Sequence, residues 1–286
     1  MGVAFLYARA RLHWGFITRQ VGASAAQLAY PLPPPTTVIG SFANPLARVL
    51  GIGEAIDRRS GAAGSRIMRC AISSTIAASA GLVPRSPTGV ALHAEPTRIL
   101  GGPYKGGGSY QEAVKKPAYQ AVQEVLPVQS SGEASSPGSV MYLAWVLDTA
   151  RLEACLGLRG SSLVDGLEEA VWSVYRIGSK EGIASVEEAG VVEDSVRIVG
   201  PGGTFHSILY QSALCVYPKT GSSKPLTLYG LTYRERTFYA PIAGASGYSY
   251  LYPPVIPELF EVRSGCRAFD PGVNNLALAS EEAGMP

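Results

Sequence analysis

The run Tyr30-Pro31-Leu32-Pro33-Pro34-Pro35-Thr36-Thr37-Val38-Ile39-Gly40 constrains the fold of this 286-residue chain more than any other stretch. Its four prolines fix φ and hold the backbone extended, and Thr36 or Thr37 can cap a helix that starts at Val38. Proline tracts also serve as linkers and as ligands of the SH3 type. Position favours a rigid junction instead, because a strand pattern precedes the tract and an apolar helical pattern follows it.

That strand pattern runs from residue 3 to residue 14. The even positions Ala4, Leu6, Ala8, Ala10, Leu12 and Trp14 are wholly apolar. The odd positions are aromatic near the start (Phe5, Tyr7) and basic near the end (Arg9, Arg11, His13). With a side-chain period of two, one face is covered and the other suits base stacking and phosphate contact. The alternative is a half-exposed strand whose cations simply meet water. After the junction, residues 38–44 suit a short helix, kinked at Pro45 or followed by a second helix with Asn44 as cap, with Gly51 and Gly53 ending it.

Residues 66–79 are rich in β-branched side chains and suit a strand. Residues 97–138 form a long, weakly periodic excursion of the kind that is either functional or disordered. Residues 140–147 fit a buried strand, 162–174 carry helical spacing, and 183–186 are strand-like again. Aromatic-rich β runs follow at 207–217, 226–239 and 248–255. Strand, helix, strand, excursion, strand, helix, strand is the element order of a ferredoxin-like α+β unit, here followed by a β-rich tail.

Composition narrows the function classes. Net charge is only +2, from 24 basic and 22 acidic side chains, so any polyanion site must come from local clustering. Charged residues make up 16%, well below the usual quarter, which suggests surface covered by other subunits. No apolar run is long enough to span a membrane, and the amino terminus, with Arg9 and Arg11 inside its alternation, is not a signal peptide. Cys70, Cys155, Cys215 and Cys266 form no CxxC pair, which suggests a reducing cytoplasm with neither a zinc site nor a disulfide framework.

Two glycine-rich stretches could hold phosphate. Residues 101–109 carry Tyr104 and Lys105 among exposed amides, although they match neither the Walker nor the dinucleotide pattern; a flexible loop is the other reading. The sequence Tyr175-Arg176-Ile177-Gly178-Ser179-Lys180-Glu181-Gly182 is sharper. Gly178 and Ser179 permit a tight turn that leaves Arg176 and Lys180 at its ends, suited to a phosphate chain or to a capped helix end with a Lys–Glu surface pair. Catalytic signals are sparse. The three histidines, His13, His93 and His206, lack HExxH spacing, no GxSxG turn is present, and no carboxylate cluster suggests Mg²⁺. No cofactor, metal or catalytic residue is therefore expected. Metal-free RNA cleavage by His13 beside Tyr7 and Arg11 is the alternative.

Together, a first strand running into an Arg-bearing segment (Phe16-Ile17-Thr18-Arg19-Gln20), the Pro33–Gly40 run and the glycine turn ending in Lys180-Glu181 resemble the Cas-five family of CRISPR-associated RAMP proteins, most closely its type I-A branch. The resemblance spans residues 1 to about 190 and includes none of the C-terminal third. It implies a ferredoxin-like, RNA-recognition-motif-like RAMP core over residues 1–195 with an antiparallel sheet and a thumb-like insertion near 97–138. A variable β-rich region over 196–286 would follow. It also implies a cytoplasmic, non-catalytic subunit of the type I surveillance complex, Cascade. There such a protein caps the repeat-derived 5′ handle of the crRNA and contacts the Cas-seven backbone subunit and the large subunit. The residues expected to meet RNA are Tyr7, Arg9, Arg11, His13, Arg19, Tyr104, Lys105, Arg176, Ser179 and Lys180. In the type I-C branch the family member cuts precursor crRNA with Tyr, Lys and His, a triad that this chain does not display.

Overall fold

A computed structural model describes residues 2–13, 16, 18, 30, 32–52, 65–83, 88–93, 98–99, 120–121, 124–129, 140–158, 162–178, 182–244, 250–252 and 256–284. In chain order the first two thirds comprise β1 (Val3–Leu12), α1 (Pro35–Val49), α2 (Arg66–Ser74), β2 (Thr75–Leu82), β3 (Thr88–His93), β4 (Arg98–Ile99), β5 (Gln120–Ala121), β6 (Glu124–Gln129), β7 (Val140–Asp148), α3 (Thr149–Leu156), α4 (Ser162–Trp172) and β8 (Ala184–Val192). Strands β2, β7, β1 and β8 pair in that order, every pair antiparallel. Counted as the four strands of a split βαβ unit, the order is 2-3-1-4, which is the ferredoxin-like arrangement that the element order implies. The fold is α+β with a β-rich C-terminal region.

The even face of β1 behaves as expected: Ala4, Leu6, Ala8, Ala10 and Leu12 are all buried, under α1, α2 and α4. Helix α4 likewise buries Leu163, Leu167, Ala170 and Val171, at the spacing its sequence carries. It approaches α1 closely at Gly166, where a Cβ would lie 2.9 Å from Leu50 Cδ2.

Helix α1 begins three residues earlier than expected. Pro34 is its N-cap residue and Pro35 its first helical position, and the Pro34 carbonyl accepts from Thr37 and Val38 N–H. Neither threonine caps it; a proline at the first position has no N–H to satisfy and already holds the helical φ. The helix also passes through Pro45 without a second start. It closes in a Schellman motif, with Gly51 at φ +63°, Gly51 N–H on Arg48 O and Ile52 N–H on Ala47 O at 2.8 Å.

Residues 66–79 are not one strand. The stretch is helical to Ser74 and extended only from Thr75. Ser65 Oγ accepts the Met68 N–H as N-cap, and Ile67, Cys70, Ala71 and Ser74 are buried at helical spacing. Capping and burial of that stripe outweigh the β-branched content that suggested a strand. The cysteines are a second correction, because Cys70 is bonded to Cys155 and Cys215 to Cys266. The first pair ties α2 to α3 and the second lies within the C-terminal region. Partners 85 and 51 residues apart leave no local sequence signal. Such bonds persist in oxidising compartments and in intracellular proteins of hyperthermophiles, so the cysteines do not argue for a reducing cytoplasm. No described helix is long and apolar enough to cross a membrane.

The excursion is partly structured. Strands β3 and β6 form an antiparallel ladder from Thr88↔Gln129 to His93↔Glu124, and residues 250–252 of the C-terminal region add to β3. The β runs of the C-terminal third are more broken than expected. Residues 226–239, for example, span the pair Ser223–Tyr229 and Glu235–Pro241, with Tyr233 at φ +56° in the turn between them.

That region is bonded to the free edge of the core sheet. Tyr210 N–H donates to Ala80 O at 3.2 Å, Ser79 Oγ to Tyr210 O at 2.7 Å, and Glu281 N–H to Ile76 O at 3.2 Å. The approach is close because residue 81 is glycine; a Cβ there would stand 2.3 Å from the Ile208 carbonyl oxygen. Ile208, Leu209, Phe269, Leu276 and Leu278 then pack on Phe5, Ile76, Ala144 and Val146 of the second sheet face.

Glu281, near the end of the described residues, is buried in this seam. Its Oε1 accepts the Leu231 N–H at 2.6 Å, while Oε2 has no partner. Burial pushes its carboxyl up to about 7, against the opposing Leu231 bond. A folded-state value above the unfolded one favours the protonated native protein. This group's contribution to stability should therefore be full below about pH 4.5 and fall as pH rises towards 7, by up to about 3 kcal/mol. Urea titrations of Glu281→Gln should show that slope flattened; an unchanged slope between pH 5 and 7 would remove Glu281 as its source. Reduction of the two disulfides should lower stability by about 2–4 kcal/mol per bond, seen as an earlier urea midpoint in dithiothreitol.

Candidate functional site

The odd face of β1 divides in two. Phe5 is fully buried beneath the C-terminal region, so the start of the face is core and not open surface. Tyr7 lies over Gly190 of β8, where a Cβ would meet the ring at 2.8 Å, and its ring centroid is 6.4 Å from that of Tyr142. Beyond Tyr7 come Arg9, Arg11 and, just past the strand end, His13.

The partner strand changes the electrostatics of this face. Strand β8 pairs Glu188 with Arg9 and Val186 with Ala10, leaving Glu187 as the extra residue of a β-bulge. A regular strand would turn consecutive side chains to opposite faces; the bulge puts Glu187 and Glu188 on the same one. Glu187 bridges Arg9 Nη1 and Arg11 Nε. The Arg11 hydrogen bond, with the charges of both arginines, holds its carboxyl below the usual range against the opposing effect of burial. Glu188 accepts from Tyr142 Oη at 3.0 Å and from Asn274 Nδ2 at 2.8 Å. Burial and then Glu188 raise the Tyr7 and Tyr142 hydroxyls. His13 Nε2 lies 2.7 Å from Ser185 Oγ. Of the cations expected to meet either water or phosphate, Arg9 and Arg11 are thus engaged by one carboxylate, Glu187, and the bulge that places it leaves no signature in the sequence.

The glycine turn is a hairpin. Arg176 bridges to Ile183, Ile177 N–H bonds Gly182 O at 2.8 Å and Ala184 N–H bonds Tyr175 O at 2.9 Å, with Gly178 at φ +73°, which glycine adopts without strain. His13 N–H donates to Ile183 O at 3.1 Å, so the hairpin stem continues the core sheet past the end of β1. Arg176 is exposed on this stem. Arg19, Tyr104, Lys105, Ser179 and Lys180 lie outside the described residues.

Across from the stem lies a cluster that the sequence did not indicate. Arg48, in the last turn of α1, sits 5.4 Å from the centroid of the Tyr175 ring and donates to its hydroxyl at 3.4 Å. Tyr175 Oη donates to Asn44 Oδ1 at 3.4 Å, and Arg176 lies over the same ring at 5.9 Å. Asn44 and Arg48 are four apart and share a helix face. Nothing in the sequence says that this face meets residue 175.

Two features bear on chemistry. Tyr7 and His13 are six residues apart along an extended strand, roughly 20 Å, and cannot act on one phosphate. Among the described residues no group of three or more His, Cys, Asp or Glu side chains could hold a metal. A cleft of about 440 Å³ is bordered by Asn274, Asn275, His206 and the Arg197–Asp270 ion pair.

No protein-family model and no curated protein sequence matches the chain. The fold is similar to that of a CRISPR protein from Archaeoglobus fulgidus, with a TM-score of 0.56 at 15% identity over 97% of this chain and 98% of that one. At that identity the likeness is one of fold.

Replacing Gly190 by Ala should displace the Tyr7 ring and destabilise the protein by about 1–3 kcal/mol. In a Tyr7→Ala background the same substitution should cost little. Equal urea-midpoint shifts in the two backgrounds would show that the ring does not depend on the glycine.

Proposed function

We propose that this protein is a non-catalytic crRNA-binding subunit of a type I CRISPR surveillance complex, of the Cas-five kind, holding the repeat-derived 5′ handle and meeting the backbone and large subunits. The observation that carries this reading is the fold similarity to a CRISPR protein over nearly the whole of both chains. It includes the C-terminal third, for which the sequence motifs offer nothing. The proline junction and the glycine hairpin, the two stretches behind the family resemblance, sit at the start of α1 and at the end of the core sheet. The roughly 20 Å between Tyr7 and His13 supports binding over cleavage, because an acid and a base must flank one bond.

On this reading Arg9 and Arg11 reach phosphate only by exchanging it for Glu187. The carboxylate is a built-in competitor, and affinity of the isolated protein should be modest. Glu187→Gln should tighten binding of repeat-derived RNA by about fivefold at low salt, since one nearby charge at the surface is worth about 1 kcal/mol. Arg9→Glu should weaken it.

The test is a filter-binding titration with labelled repeat RNA in EDTA, together with co-purification after expression beside the neighbouring genes. Expected are guide RNA in the purified complex and no cleavage. Specific cleavage that persists in EDTA and disappears in His13→Ala would replace this reading with a metal-independent endoribonuclease.

A further inference from the structure

Resting on that RNA-binding reading, we infer that Asn44, Arg48, Trp172, Tyr175 and Arg176 form a stacking platform for an unpaired nucleotide of single-stranded RNA, at the end of the sheet and not on its face. Charge is the first reason. Elsewhere Arg9 and Arg11 share the single Glu187 carboxylate, while Arg151, Arg197, Lys219 and Arg236 each pair with one of their own, Asp148, Asp270, Glu261 and Glu282. Arg48 and Arg176 have no carboxylate partner among the described residues; what they share is one tyrosine ring. Two guanidiniums held together by an aromatic group leave their positive charge available to an anion.

Exposure is the second reason. Tyr175 is 39% exposed and Trp172, three residues earlier at the end of α4, is 48% exposed, although the helix buries Leu163, Leu167 and Val171. Aromatic surface beside unpaired guanidiniums is what unstacked bases and their phosphates bind, and it is tolerant of sequence because every base has a π-face. An acidic protein segment would use the arginines but gain little from the rings.

The backbone on both sides of the cluster is held by the fold. Tyr175 sits on the hairpin stem through its carbonyl bond to Ala184, Arg48 sits on a helix held to α4 at Gly166, and Asn44 fixes the ring hydroxyl. An aromatic group already held in place loses little rotamer freedom when a base arrives.

Fluorescence anisotropy with a labelled single-stranded RNA of repeat sequence, between 50 and 200 mM salt, tests this. Tyr175→Ala should weaken binding roughly tenfold, as the loss of one stacked base does. Tyr175→Phe should weaken binding far less than Tyr175→Ala, because it keeps the ring and loses only the hydroxyl contacts to Asn44 and Arg48. Replacing Arg48 and Arg176 together by Ala should lower the slope of log affinity against log salt by about 1.4, that is 0.7 for each lost phosphate contact. RNA should also quench the fluorescence of Trp172, and Trp172→Phe should remove that component, so the platform can be followed even if Tyr175→Ala fails to fold.

Unaltered affinity, slope and quenching in these variants would overturn the platform while the handle-binding reading stands. Absence of any RNA binding by the unaltered protein and its complex would overturn both. Displacement of the RNA by polyglutamate at equal charge, with Tyr175→Ala without effect, would assign the patch to an acidic protein segment.

Discussion

Two buried hydrogen bonds at the start of α1 hold the molecule's parts in register. Tyr210 Oη donates to Pro33 O at 2.9 Å and Trp145 Nε1 to Val38 O at 2.8 Å. A proline-rich junction brings carbonyls into the interior without the N–H groups that would normally accompany them. The Pro34 carbonyl is met by the first N–H groups of α1, and the Pro33 carbonyl by a donor side chain with an apolar body, the tyrosine. Tyr210 comes from the C-terminal region and Trp145 from the middle strand of the core, so one turn unites three distant parts of the chain. Burial holds the Tyr210 hydroxyl well above its usual range, which keeps it a donor. Because α1 starts at this point, the direction of its far end, with Asn44 and Arg48, is fixed as well.

Electrostatics follow from packing in the same way. A single extra residue in β8 decides that Glu187 and Glu188 share a face with Arg9 and Arg11. Without the bulge, one carboxylate would point into the helical layer, where an unpaired charge is costly. The basic end of β1 is consequently close to neutral. A net charge of +2 over 286 residues says little about where positive surface lies, and the ion-pair pattern says more.

What the sequence made legible was governed by short-range periodicity. The alternation in β1, the apolar run of β7 and the 3.6-residue stripe of α4 each need only a dozen residues, and each is where it was expected. The errors came from longer-range constraints. Residues 66–74 became helical because a cap and a buried stripe prevailed over β-branched content. The cysteines paired across 85 and 51 residues, separations that no local pattern records. Arg176 was visible as a cation beside a glycine turn. Arg48 was not, since its meaning depends on the angle at which α1 leaves the proline junction.

The C-terminal third, which carries no recognisable motif, decides how the sheet can be used. Four-stranded sheets of this kind meet RNA through aromatic residues on their open face. Here that face is closed at its apolar end, where Ile208, Leu209, Phe269 and Leu276 lie on Phe5, Ile76 and Val146. The seam also covers the backbone of β2, which would otherwise be an exposed edge open to pairing with other chains. Closing the edge and the apolar end of the face stabilises the core and leaves the Arg9 and Arg11 end of that face partly exposed. Also open is the end of the sheet, where His13 and the hairpin stem meet and Tyr175 of that stem faces the last turn of α1.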